Sequence, residues 1–265
     1  MDNRLRTYGD PPFTVAVIHG GPGAYGEMKP VAQQLATSWS VLEPRQSALS
    51  VSGQVEELKY ILRDYSIQPT ILIGFSWGAW LSFMVAAKYP NLVSKLILVG
   101  SDPFEAQYAT GISATRQSRL TAAEQNEYQT LSAAFSNDAV QDKNRLLTRL
   151  GELAQKTDTY DPISTDDTAI DFRADIFQAV WPEAAQLRRN GTLLALGDQI
   201  QCPVLAIHGD YDPHPADVVQ KPLSAQLADF QFVLLQHCGH KPWIERQAKA
   251  QFYAILQEAL KTEST

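Results

Sequence analysis

The sequence predicts an α/β architecture: a mostly parallel central sheet flanked by helices, with a helical segment inserted between two of its strands. Three observations carry this reading. Short apolar runs rich in β-branched residues, the composition of strands buried on both faces, alternate with helical stretches before residue 100 and again after residue 201. One run, residues 70–73, leads through Gly74-Phe75-Ser76-Trp77-Gly78 into a helical stretch at 79–88 that Tyr89-Pro90 stops. Between about 104 and 195 the buried runs vanish and amphipathic segments replace them.

Composition bounds the function. With 265 residues, 45% hydrophobic and 19% charged, the chain suits one α/β domain carrying an insertion. Its formal net charge of −7 argues against a nucleic-acid partner, because nothing would neutralise phosphates. No stretch reaches the roughly eighteen apolar residues of a membrane span. The opening Met1-Asp2-Asn3-Arg4-Leu5-Arg6 lacks the apolar centre of a signal peptide, so a cytoplasmic protein without a membrane partner is expected. Cys202 and Cys238 stand far apart in no metal-ligand spacing, and two reduced, buried thiols are expected.

The elements follow in order. Residues 13–18 form the first buried run and close at His19-Gly20-Gly21-Pro22-Gly23, which excludes helix and strand and can turn a backbone N–H into a cleft. Residues 27–37 have helical spacing through Val31 and Leu35, and 39–42 read as a strand ending at Glu43-Pro44-Arg45. Ser52-Gly53-Gln54 opens a helix to Asp64 with Val55, Leu58, Ile61 and Leu62 on one face. Residues 96–99 are another buried run, closing at Gly100-Ser101-Asp102-Pro103.

The amphipathic segments 122–135 and 142–153 belong to about four helices, which read as a lid at 104–195 over a core of 1–103 and 196–265. The polar break at 156–168 reads as its hinge or mobile loop. Buried runs resume at 202–207, ending at His208-Gly209-Asp210-Tyr211-Asp212-Pro213, and at 230–235, ending at Gln236-His237-Cys238-Gly239-His240. A last helix is expected from Lys241-Pro242 to Leu260. Six strands, joined by right-handed crossovers, complete the expected sheet.

In such sheets functional groups gather at the carboxyl ends of the strands, and every motif here sits at one. Strand, tight turn and helix around Ser76 make the setting of a nucleophile elbow, which presents a strained serine outward. A serine hydroxyl needs an imidazole to take its proton and a carboxylate to orient that imidazole. His240 fits the base, because a glycine loop after the last strand can swing it over the elbow. His19 and His208 end strands and read as structural, His214 as shaping the rim, and His237 as pointing elsewhere. For the acid, Asp212 is favoured over Asp102, while Asp210 reads as a turn cap. The oxyanion of an acyl intermediate needs two donors, for which the amides of Trp77 and Gly21 are placed.

These residues carry a resemblance. The chain resembles the α/β-hydrolase superfamily over all but the inserted segment, and His19-Gly20-Gly21-Pro22-Gly23 is similar to the loop of proline iminopeptidases. The resemblance implies Ser76, Asp212 and His240 as a catalytic triad, with Gly21 and Trp77 as the oxyanion hole. Two features depart from it. The first run falls almost where the family's third strand would be, leaving little room for the usual first hairpin. The insert lacks the carboxylate-bearing motif associated with peptide-amine binding, and most of its acids (Glu105, Glu124, Glu127, Glu152) fall on polar helix faces, leaving Glu183 beside Trp181-Pro182 as the exception.

The expected function is therefore a metal-independent serine hydrolase, without cofactor, cleaving a small and largely uncharged ester, lactone, thioester or amide. The alternatives are an iminopeptidase-like aminopeptidase, a triad-dependent lyase or C–C bond hydrolase, and a non-catalytic ligand-binding member of the fold. Tyr25, Phe104 and Trp181 are expected to line the substrate pocket, with Phe172 and Phe177 as further aromatic candidates.

Overall fold

The computed structural model describes residues 4–163 and 170–261. The chain begins with β1 (Leu5–Tyr8), β2 (Phe13–Ile18) and a two-residue β3 (Ala24–Tyr25). Next come α1 (Lys29–Leu35), β4 (Val41–Pro44), α2 (Val51–Tyr65), β5 (Ser66–Phe75), α3 (Trp77–Lys88) and β6 (Val93–Val99). The insert holds α4 (Thr110–Ser118), α5 (Ala122–Ser136), α6 (Lys143–Asp158), a two-residue β7 (Asp171–Phe172), α7 (Ala174–Arg189) and a short α8 (Thr192–Ala195). The chain closes with β8 (Val204–Gly209), α9 (Asp217–Gln226), β9 (Phe230–Leu235) and α10 (Lys249–Leu260).

The central sheet has seven strands in the order β1-β4-β2-β5-β6-β8-β9. All its pairs are parallel except β1 with β4. The expectation of six strands missed β1, whose Leu-Arg-Thr-Tyr has too few apolar residues to read as a buried run. Being an edge strand, β1 needs none. Two further departures are local. A helix at α9 follows Asp212 where none was expected, and the last helix starts only at Lys249, after a separate 3₁₀ turn at Pro242–Ile244.

The strand alternation assigns the two faces. Val15, Val17, Ile71, Ile73, Ile97 and Val99 point to a core built with Leu35 of α1 and Phe252 and Leu256 of α10. Their neighbours Ala16, Ile18, Leu72, Leu96 and Leu98 point the other way, into a core with Leu58 and Leu62 of α2, Phe83 of α3 and Leu223 of α9. Helix α3 is buried all round, from Trp77 to Ala87, because α7 covers its outer side: Trp181 stacks on Trp80 with ring centroids 5.9 Å apart.

Among the described residues, the insert adds no strand to the central sheet, but it is fastened to the core at two places. β7 pairs antiparallel with β3 of the glycine loop, and Arg173 N–H donates to Gly23 O at 2.9 Å. The stretch after α6 is stitched to the segment after β9. His240 N–H donates to Asp158 O at 2.7 Å and Arg246 N–H to Asp161 O at 3.0 Å. The buried Glu245 carboxylate accepts from the amides of Tyr160 (2.8 Å), Asp161 (2.9 Å) and Gly239 (2.9 Å). Residues 158–163 are thus bonded to the core where a hinge was expected, while Lys156 and Thr157 bond within the insert, to Glu124 and Arg119. Residues 164–168 of that stretch lie outside the described residues.

Candidate active site

Ser76 caps α3 in the left-handed region, with φ 50° and ψ −118°, a conformation that costs free energy for a residue with a side chain. Two glycines permit it. A Cβ on Gly74 would overlap the Gly78 carbonyl, and one on Gly78 would overlap the Ile18 carbonyl. Strand, turn and helix therefore pack closer than any other residue allows. The Ser76 amide donates to Val99 O at 3.0 Å, which ties the elbow to the end of β6. The Trp77 amide lies in the first turn of α3, and Gly21 (φ 32°) faces the same cavity as Ser76 from the glycine loop. That loop is braced from behind: Gly20 N–H donates to Glu27 Oε2 at 3.2 Å, and Glu27 Oε1 pairs with Lys241 Nζ at 2.7 Å.

Three strand ends converge beside the elbow. His240 Nδ1 donates to Asp212 Oδ2 at 2.7 Å, which leaves Nε2 with its lone pair. The His240 ring packs on Phe75 with centroids 4.8 Å apart. Asp102, following β6, lies on the other side, where Ser76 Oγ donates to its Oδ2 at a long 3.3 Å. His214 is not at the rim, as its position between prolines had indicated. It is buried and joins the two acids, with Nδ1 to Asp212 Oδ1 at 2.7 Å and Nε2 to Asp102 Oδ1 at 3.1 Å. Sequence reasoning named both carboxylates but had no signal for the ring between them. Asp210, expected to cap its own turn, instead ties the loop after β8 to the loop after β9, its Oδ1 accepting from Cys238 N at 3.0 Å.

The electrostatics follow from this packing. Burial disfavours the Asp212 carboxylate, yet His240, His214 and His208 together hold it well below the usual carboxylate range. Burial also works against a charged His214, but Asp212 and Asp102 overcome it and push its pKa up to about 10. His208 is lowered, chiefly by burial, and its Nε2 donates to the His214 carbonyl at 2.7 Å. His19 is fully buried and its pKa is lowered to about 4 by that burial, with Nδ1 bonded to Gly20 O at 2.9 Å. Asp212, His214 and His240 could offer three metal-ligand atoms within 4.8 Å of one another. Those atoms already bond each other or Asp102, and a cation would have to displace those bonds.

Ser76 and His240 open onto a cavity of about 880 Å³. Its apolar wall includes Phe75, Phe135, Phe172, Phe177, Leu147 and Leu150. The three expected pocket residues do not line it. Tyr25 is buried under the Arg6 guanidinium, 4.3 Å from its ring centroid. Phe104 is fully buried against Trp80 and Phe83, and Trp181 is spent in the stack on Trp80. Each is large and apolar enough to read as pocket, but packing between insert and core claims all three. Phe172 and Phe177 do face the cavity. Its acids are already paired: Asp158 with Arg116 through a fork at 2.8 and 2.5 Å, Glu27 with Lys241, and Glu152 with Arg149 at 2.6 Å. Glu183 lies elsewhere, accepting from the Val51 amide at 2.8 Å at the start of α2. Both cysteines are free, Cys238 buried and Cys202 half-buried. Among the described residues, no helix is long and apolar enough to cross a membrane.

Comparison with known proteins bears on the fold. The family model described as alpha/beta hydrolase fold matches residues 14–247. The 2-hydroxymuconate semialdehyde hydrolase of Pseudomonas sp. (strain CF600) is 24% identical over 268 residues, covering 94% of this chain and 87% of its own. Among solved structures, VinJ superposes with a TM-score of 0.67 at 17% identity, over 98% of this chain and 96% of that one. An esterase from Exiguobacterium antarcticum does so with a TM-score of 0.66 at 14% identity, over 97% and 95%. At such identities the structural likeness speaks for the fold alone. The family model spans the glycine loop, the elbow, the insert and the His240 turn, and the chain belongs to the α/β-hydrolase fold family.

Proposed function

We propose that this protein is a serine hydrolase that cleaves a small, uncharged ester, lactone, thioester or amide through an acyl-enzyme on Ser76. One observation carries the reading: His240, oriented by Asp212 at 2.7 Å, shares a cavity with a serine held on a strained elbow. Ser76 Oγ turns from its long bond to Asp102, gives its proton to His240 Nε2 and attacks the substrate carbonyl carbon. Catalytic hydrogen bonds commonly tighten only when substrate binds. The amides of Trp77 and Gly21 receive the oxyanion, each worth roughly a hundredfold or more in kcat. His240 returns the proton to the leaving group, and water, activated by the same imidazole, then releases the acid. Serine, imidazole and carboxylate complete this chemistry without a metal or cofactor.

The substrate class rests on the cavity. A free ammonium, as in an N-terminal proline peptide, needs unpaired carboxylates. Glu27, Glu152 and Asp158 already have cationic partners, and Glu183 caps α2. We take residues 104–195 as a cap that walls the cavity from water, held to the core by β7 and by residues 158–163. A second reading, cleavage of a C–C bond beside a carbonyl by the same residues, is favoured by the name of the Pseudomonas relative.

The test is labelling by a fluorophosphonate, followed by kcat/KM for a short-chain aryl ester and a proline arylamide under matched conditions. Wild type should label, Ser76→Ala should not, and the ester should be the better substrate. An unlabelled, folded wild type defeats the acyl-enzyme reading, and a preference for the arylamide defeats the substrate class.

A further inference from the structure

The loop after β8 contributes more than Asp212. Two carboxylates and one imidazole lie together in the interior, and their bonds divide in a regular way. Asp212 gives Oδ1 to the His214 ring and, at 2.9 Å, to the His214 amide, and gives Oδ2 to His240. Asp102 gives Oδ1 to His214 Nε2 and Oδ2 to the Ser76 hydroxyl. An ionised carboxylate only accepts, so both nitrogens of the His214 ring donate and the ring is an imidazolium.

The ring is 3% exposed. The other groups facing it are His240, with ring centroids 4.7 Å apart, and His208, bonded to its carbonyl. Arg116 of α4 acts on both carboxylates from farther away, with its fork engaged on Asp158, and Arg188 of α7 acts on Asp102. His214 is thus the cation bonded to both acids at once.

We propose that His214 is a positioning residue of the site, a buried imidazolium that fixes Asp212 against His240 and Asp102 against Ser76. This rests on the hydrolytic reading above. Acid, base and nucleophile come from three strand ends separated by long stretches of chain, and the ring makes their carboxylates one rigid unit. Without it, two buried carboxylates share a small volume with no cation between them. One then rotates away or takes up a proton, and the site binds an additional proton near neutral pH. Asp212 loses the bonds that aim its second oxygen at His240.

Three measurements test this. The first uses wild-type protein labelled with ¹⁵N-histidine. One histidine is expected to keep both ring nitrogens protonated at pH 8, and its absence overturns the proposal whether or not any variant folds. The second compares wild type with His214→Gln, after circular dichroism shows the fold intact. The fluorophosphonate labelling rate and kcat for an aryl ester should fall about ten- to a hundredfold, the range known for partners that orient metal-bound histidines, taken here for a group that orients the acid behind His240. KM should hold, and the acid limb of the kcat/KM profile should move up by about one pH unit.

The third adds Asp102→Asn to His214→Gln. Part of the lost rate should return, because the substitution removes the carboxylate left without its cation. A packing role alone would move neither the pH limb nor this recovery, and their joint absence overturns the proposal. If wild type itself fails to label, the hydrolytic reading falls and the positioning role with it. The ¹⁵N signal still decides separately whether the imidazolium exists.

Discussion

Replacing Asp212 by asparagine should be far more damaging than the same change at Asp102, and the structure says why. Asp212 is fully enclosed, and its two oxygens accept from three donors: the ring and amide of His214 on Oδ1 and the ring of His240 on Oδ2. An asparagine amide has one accepting oxygen and one donating NH₂. Facing its oxygen to the two His214 donors turns the NH₂ toward His240 Nδ1. His240 must then accept there and carry its hydrogen on Nε2, where no lone pair remains for the Ser76 proton. The equivalent change in a well-studied serine protease costs about ten thousandfold in kcat through the same tautomer, and a similar loss is expected here. In Asp102→Asn the amide oxygen still serves His214 Nε2. The 3.3 Å bond to Ser76 and the Asp102 charge paired with His214 are lost; Asp212 still holds the His214 ring, and at about 1 kcal/mol for the Ser76 bond the cost is no more than about tenfold. Single-turnover acylation of an aryl ester, with both variants shown folded, reads the difference directly. If Asp102→Asn proves the slower enzyme, the acid has been misassigned.

Other outcomes follow from the same contacts. Glu245→Ala leaves the buried amide of Gly239 and the part-buried amides of Tyr160 and Asp161 without their acceptor and should destabilise the fold by about 2 kcal/mol or more in urea titration; a loss under about 1 kcal/mol would show that these bonds do not hold the segment to the core. His214 has its pKa raised to about 10, so its stabilisation is complete below about pH 6.5 and is lost as pH rises through 10. The urea midpoint of wild type should therefore fall between pH 8 and 10 more steeply than that of His214→Gln, and parallel curves would contradict this. Gly151 lines the cavity with Phe172 Cζ only 3.1 Å from where a Cβ would lie. Gly151→Leu should lower kcat/KM for a long acyl ester while sparing acetyl, and equal effects on both chain lengths would mean the acyl group binds elsewhere.

Much of this protein is legible in its sequence. The alternation in 13–18, 70–73 and 96–99 assigns residues to faces because a strand's side chains point alternately up and down. The serine-centred glycine motif announces its own geometry, since Gly74 and Gly78 are needed wherever strand and helix pack that closely. What misled were residues whose type is ambiguous. Phe104 and Trp181 suit a pocket or a core equally well, and the polar 158–163 stretch looks like a free loop because its partners, Glu245 and the residues flanking it, lie over eighty positions away. The β1 edge strand was missed for a related reason: a strand with one side open to solvent does not need an apolar run.

The sequence by itself therefore determined the class of fold, the elbow and the order in which serine, acid and histidine occur, because each depends on neighbours within a few residues. Only the tertiary structure decided which acid meets His240, that His214 stands between Asp212 and Asp102, and which aromatic rings face the cavity. These depend on the register of β6, β8 and β9, which brings together residues 102, 212, 214 and 240. Hydrogen bonds between side chains so far apart leave no periodicity in the chain. They exist only once the hydrophobic faces of the sheet have been covered and the strand ends held a few ångströms apart.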